Sequence, residues 1–159
     1  MHVVFVCTGN LCRSPLAEVA LKRILRTAGK NDVQVSSTGV WASKGLPPPE
    51  EAIRVAQEMG LDLSTHLSRP ISGGLVRSAD WIIVMAPEHE EDLWNSYPNL
   101  TCRVEGLPAY LAEGKVLAIP DPLGYPLKVY RACYAQIERA VRAFFEQELD
   151  AAPGKGQKA

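Results

Sequence analysis

The sharpest constraint in this sequence lies in its first thirty residues. Val3-Val4-Phe5-Val6 is apolar on both faces and gives way at once to the polar, glycine-containing run Cys7-Thr8-Gly9-Asn10. A strand apolar on both faces belongs in a sheet covered from both sides. Ser14 stands where it can cap a following helix and Pro15 fits the first helical position. Leu16, Val19, Ala20 and Ile24 then form an apolar stripe ending near Gly29. Strand, tight loop and helix in that order begin an α/β domain.

The rest of the chain continues the alternation. Val33-Gln34-Val35-Ser36-Ser37 reads as a second strand. Gly45-Leu46-Pro47-Pro48-Pro49 interrupts regular structure before a helix over 50–59, which Gly60 ends. Trp81 to Met85 is a further fully apolar strand, and Pro87-Glu88-His89-Glu90 has the acid-rich composition of a first helical turn. Thr101 to Val104 is the expected fourth strand. Val129, Cys133, Ile137, Val141 and Phe144 recur at helical spacing within an expected final helix over 127–149. Strands alternating with helices imply a parallel sheet. One domain over residues 1–150 is expected, with a mobile tail at 151–159 whose Pro, Gly and Lys offer nothing to bury.

The totals exclude several function classes. A formal net charge of −1 with both signs scattered along 159 residues gives no electrostatic footprint for nucleic acid or an anionic membrane. The first residues are too short an apolar run for a signal peptide, and no run is long enough to span a bilayer. A cytoplasmic location is therefore expected. There the four cysteines, Cys7, Cys12, Cys102 and Cys133, would do chemistry or fill the core and not bridge.

Between strand and helix, the loop Cys7-Thr8-Gly9-Asn10-Leu11-Cys12-Arg13-Ser14 can turn successive backbone N–H groups inward, and the helix N-terminus adds positive potential. It is an anion cradle without the lysine of the nucleotide-binding P-loop. A cradle that opens with Cys and closes with Arg suits thiol chemistry on phosphate. Cysteines at helix N-termini or beside cations ionise more readily than free cysteine, so Cys7 is expected to be a thiolate at neutral pH. Arg13 offers a planar fork for two phosphoryl oxygens, which Lys would not replace equally.

Cys-x5-Arg alone is weak, since about one Cys in twenty meets an Arg six residues on by ordinary usage. The chain carries its own control. Cys133 and Arg139 have the same spacing, but they sit in a helical stripe with no strand or glycine before them, which reads as core and surface.

The run Val6-Cys7-Thr8-Gly9-Asn10-Leu11-Cys12-Arg13-Ser14-Pro15 resembles the signature of the low-molecular-weight protein tyrosine phosphatases, and the likeness extends along nearly the whole chain through Ser37-Thr38-Gly39, Thr65 to Arg69, and Asp121-Pro122. The resemblance implies a three-layer, four-stranded parallel sheet flanked by helices on both faces, with flavodoxin-like topology. It implies that Cys7 is the nucleophile, Arg13 the phosphoryl binder and Asp121 the general acid. Asn10, Ser14, Ser37 and His66 would form a network fixing the loop, with Ser14 also donating to the Cys7 thiolate. The implied substrate is a phosphorylated protein, with phosphotyrosine favoured and phosphate or other oxyanions as product or inhibitors. No metal or other cofactor is required.

Each assignment has a plainer alternative. Asp121 in Ile119-Pro120-Asp121-Pro122 could serve only as a turn former. Asn10 suits a left-handed turn and Ser14 a cap, roles compatible with function. His66 reads as a supporting group. Cys12 is either a core filler or, as the resemblance favours, the partner of Cys7 in a reversible protective disulfide. Cys102 carries no assigned role. Leu11, Trp41 and Tyr125 are the candidates for a substrate wall. After Asp121-Pro122 the best-known family members have adjacent aromatics where this chain has Leu123-Gly124-Tyr125.

Three rival readings share the scaffold or the loop. A thiol-dependent arsenate reductase needs two further cysteines after the third strand, and 79–100 contains none. A protein-arginine phosphatase usually has Thr where this chain has Leu11, and an apolar Leu11 suits an aryl ester better than a guanidinium. A non-catalytic phosphate-binding module would leave nucleophile, Arg and acid without purpose.

Overall fold

The computed structural model describes residues 1–111 and 115–150. Strand β1 (His2–Cys7) leads through the loop into helix α1 (Arg13–Thr27), then β2 (Gln34–Gly39), α2 (Glu50–Glu58), α3 (Gly73–Ser78), β3 (Trp81–Val84), α4 (Pro87–Ser96), β4 (Arg103–Gly106) and α5 (Leu127–Phe144). The four strands form one parallel sheet in the order β2-β1-β3-β4. The expected α/β, flavodoxin-like architecture is what the chain adopts.

Two cores flank the sheet because β1 alternates. Val3, Phe5 and Cys7 face the layer of α1, α2 and α5, among Leu16, Leu21, Val55, Ile137 and Phe144. Val4 and Val6 face the other layer with Val76 of α3 and Leu93 of α4. β1 is paired on both sides, while edge strand β4 alternates exposed with half-buried residues, so its apolar signal is faint. Arg103 on that edge lies over the Trp81 ring, 4.1 Å from its centre.

β1 is also where the strand order reverses, and open α/β sheets place ligand sites at the carboxyl end of such a switch point. Cys7 ends β1 there, in register with Gly39 at the end of β2.

Several sequence expectations need correction. Helix α1 starts at Arg13, with Cys12 at the capping position and no side-chain cap. Ser14 is therefore the second helical residue and not the cap, and Pro15 is the third, where a backbone N–H has no intrahelical partner anyway. α1 ends at Thr27 because Gly29 already has a left-handed φ of 71°. β2 runs beyond Ser37 to Gly39, and β4 lies two residues later than expected. The short helix α3, capped by Ser72, had no periodic signal. The final helix is α-helical only to Phe144; consecutive Phe144 and Phe145 are both buried, and a π-helical turn covers Phe145–Leu149. The tail at 151–159 lies outside the described residues.

Candidate active site

The loop between β1 and α1 is wound by one left-handed residue, Asn10, with φ 55°. Alternation of right- and left-handed residues is how backbone amides are gathered into an anion-binding concavity. Buried Asn10 is held from every side. Its Nδ2 donates to Ser14 Oγ (2.9 Å) and Ser37 Oγ (3.0 Å), and its Oδ1 accepts from the Arg69 amide (3.0 Å). His66 Nε2 donates to the Asn10 carbonyl at 2.8 Å. The four network residues named from the sequence do meet. Glu18 and Arg69 extend the network: Ser37 Oγ donates to Glu18 Oε2 at 2.6 Å, and Arg69 Nε donates to the Ser37 carbonyl at 2.9 Å.

Gly39 is required by packing. A Cβ there would collide with the Thr8 carbonyl oxygen and stand 2.9 Å from Asn10 N and from Ala42 Cβ. The absence of that carbon lets the loop lie directly on the end of β2.

Cys7 is buried at the floor, its Sγ 2.9 Å from Ser14 Oγ. Ser14 also lies 3.3 Å from the Thr38 carbonyl. Having a single proton, the hydroxyl gives it to that carbonyl when the sulfur is a thiol and to Sγ when the sulfur is ionised. Arg13 is buried, and its Nη1 donates to the Ile119 carbonyl at 2.8 Å, fixing the guanidinium plane. Arg13 Nη2 reaches Thr8 Oγ1 at 3.3 Å and pairs with Asp121 Oδ2 at 3.6 Å. The other Asp121 oxygen, Oδ1, accepts from the Leu123 amide at 3.1 Å, so the carboxylate is aimed from its own turn. Cys7, Thr8, Gly9, Leu11, Cys12, Arg13, Asp121 and Leu123 together enclose a cavity of about 90 Å³.

Helix α5 supports both halves of this cavity. Tyr134 Oη donates to the Cys12 carbonyl at 2.9 Å, and Cys133 Sγ lies 3.7 Å from the Pro120 carbonyl. Burial pushes the Cys12 and Cys133 thiols up to about 12. Cys133 is core and Arg139 is exposed, as the control pair required. Cys7, Cys12, Cys102 and Cys133 are all free thiols.

Of the three wall candidates, Leu11 alone lines the cavity. Trp41 is largely exposed and its Nε1 donates to Asp92 Oδ2 at 3.0 Å, while Tyr125 points to solvent. Leu123, noted only as a departure from the family pattern, takes the wall position instead. The sequence reading also missed His89. This residue of α4 is fully buried, and its Nε2 lies 2.8 Å from Thr8 Oγ1. Burial first, and then the nearby Arg13 cation, lower its pKa to about 4. An acid-rich first turn reads as a solvated surface, so only long-range packing could have revealed this histidine. Among the described residues, no three His, Cys, Asp or Glu side chains are grouped to hold a metal ion.

The profile of the low molecular weight phosphotyrosine protein phosphatases matches residues 2–153. The chain belongs to that family. It is thus a phosphatase whose relatives work on phosphorylated proteins. It is 33% identical over 149 residues to a protein-arginine-phosphatase of Bacillus subtilis (strain 168), covering 92% of this chain and 96% of that one. It is 34% identical over 141 residues to the low molecular weight protein-tyrosine-phosphatase Wzb of Escherichia coli (strain K12), covering 89% and 90%. Among solved structures, a mutant of the YwlE arginine phosphatase carrying a phosphorylated active-site serine superposes with a TM-score of 0.85 at 29% identity, covering 94% of this chain and 99% of that one. In this phosphatase no helix among the described residues is long and apolar enough to cross a membrane.

Proposed function

We propose that this family member hydrolyses phosphotyrosine in proteins through a cysteinyl-phosphate on Cys7. The observation that carries the reading is the convergence of Cys7, Arg13 and Asp121 on one small cavity whose remaining side walls include Leu11 and Leu123. In the first step the Cys7 thiolate attacks phosphorus in line, while Arg13 and the loop amides take up the charge of the equatorial oxygens. Asp121 gives its proton to the departing phenol oxygen. In the second step Asp121 takes a proton from water, which displaces the sulfur and releases inorganic phosphate. Asn10, Ser14, Ser37 and His66 hold the loop in register for both steps. The phosphorylated serine in the YwlE mutant supports transfer to a side chain of the active site in this family.

The aryl preference rests on Leu11 and Leu123, which present hydrocarbon to the leaving group and offer a guanidinium no hydrogen-bond acceptor. The arginine-phosphatase reading has the Bacillus relative behind it. Initial rates on matched phosphotyrosine and phosphoarginine peptides separate the two, with Cys7→Ser as the inactive control. A higher kcat/KM on phosphotyrosine is expected, and a higher value on phosphoarginine would overturn the substrate assignment while leaving the chemistry in place.

A further inference from the structure

His89 is fully buried, and its Nδ1 has no hydrogen-bond partner among the described residues. Its Nε2 lies 2.8 Å from Thr8 Oγ1, and Arg13 Nη2 lies 3.3 Å from the same oxygen. A neutral imidazole has one N–H and one bare nitrogen. With the proton on Nδ1, a buried donor would go unmet; with the proton on Nε2, the unmet atom is an acceptor, the less rare kind of orphan. Nε2–H therefore donates to Thr8. The Thr8 oxygen then accepts from two donors, His89 and Arg13, which uses both of its lone pairs. Its own hydroxyl proton remains to be donated, and Thr8 lines the cavity with Cys7 and Arg13.

We infer that His89 is a positioning residue for phosphoryl binding: it fixes the Thr8 hydroxyl so that this hydroxyl donates to a phosphoryl oxygen and braces the Arg13 guanidinium. The inference rests on the reading of the Cys7–Ser14 loop as the phosphoryl site. It adds the Thr8 side chain as a donor to the backbone cradle, oriented by a histidine that α4 supplies.

The test measures kcat and KM on an aryl phosphate and the inhibition constant for inorganic phosphate. Thr8→Val removes the hydroxyl at nearly constant volume. It is expected to lower kcat/KM and weaken phosphate inhibition, each by about 10- to 100-fold, the range for a lost hydrogen bond to a charged group. Thr8→Ser, which restores the hydroxyl, should recover most of both losses. His89→Leu should cause the same losses, add nothing further in the Thr8→Val background, and be largely rescued by His89→Gln, which retains an N–H donor. Undiminished phosphate inhibition in Thr8→Val, or a His89→Leu effect that persists undiminished on top of Thr8→Val, would overturn the inference. Should His89→Leu not fold, the Thr8→Val and Thr8→Ser pair decides alone. A wild type inert on aryl phosphate would remove the underlying reading, whereas an active wild type with indifferent Thr8 and His89 variants would remove only this inference.

Discussion

The Ser14 hydroxyl lies 2.9 Å from the Cys7 sulfur, and the Asn10 amide donates to that same hydroxyl from the other side at 2.9 Å. With its lone pair engaged by Asn10, Ser14 can turn its proton to the sulfur. The proposed nucleophile thus faces a hydroxyl donor that the loop network orients. Ser14→Ala is expected to lower kcat on an aryl phosphate by about 10- to 100-fold, the range for a lost hydrogen bond to a charged group. Steady-state kinetics with a circular-dichroism check of folding would test this.

Asp121 is held at the cavity by the Leu123 amide and by Arg13. In the proposed reaction it protonates the leaving oxygen, so its removal matters most where the leaving group is poor. Asp121→Asn should cost about 10² to 10⁴ in kcat on phenyl phosphate and less on a nitrophenyl ester. Equal losses on both would contradict general-acid catalysis by this residue.

Gly39 lies against the underside of the loop, and Gly39→Ala forces the Thr8 and Asn10 backbone to move. A destabilisation of about 1–3 kcal/mol is expected in urea unfolding, together with reduced kcat, as for other overpacked sites. Gly74→Ala serves as the control, since nothing lies within 4 Å of a Cβ at that helical position.

His89 also makes stability depend on pH. Its folded pKa is about 4, below the free value of 6.5, so between those limits the unfolded chain binds the extra proton. The charges around it are Arg13 of α1, Glu88 and Asp92 on α4, and Asp121 in the final loop. The contribution is fully present above about pH 6.5 and is lost as pH falls toward 4, amounting to about 3 kcal/mol. His2, whose pKa is lowered chiefly by burial, acts in the same direction. Urea unfolding at pH 7 and pH 4.5 should therefore show a smaller acid loss in His89→Gln than in wild type.

The fold was largely legible because β1, β3 and the last helix bury apolar residues in the periods that strands and helices require. β2 was cut short in the sequence reading, at Ser37, because the polar run through Thr38 and Gly39 looks like a turn. Their hydroxyls are buried and bonded to Glu18 and Arg69, and Gly39 serves close packing, so polar residues there belong to the site. Cys7 and Arg13 could be named because they share one loop, whereas Asp121, whose proline-bounded turn reads locally as a mere turn, was named only through the family resemblance. Ser14 was misread as a cap because a hydroxyl near a helix start has the same local signature whether it faces an amide or a sulfur. Trp41 and Tyr125 show the opposite limit: an aromatic near a site in sequence need not turn toward it. His89 and Glu18 stand at helical positions that read locally as polar surface, and only the packing of the β1–α1 loop against α4 and β2 brings them in.

The central claim is that phosphate passes through a covalent bond to Cys7. Acid quenching of the enzyme during turnover of an aryl phosphate, followed by peptide mass spectrometry, locates any phosphoryl group on the chain. With a nitrophenyl ester, whose departure needs little help from an acid, slowing the second step with Asp121→Asn should raise its yield. The account predicts phosphate on Cys7 and none in Cys7→Ala, which leaves no nucleophile at that position; phosphate on another side chain of the wild type, or turnover with no phosphoenzyme and no burst, would contradict it.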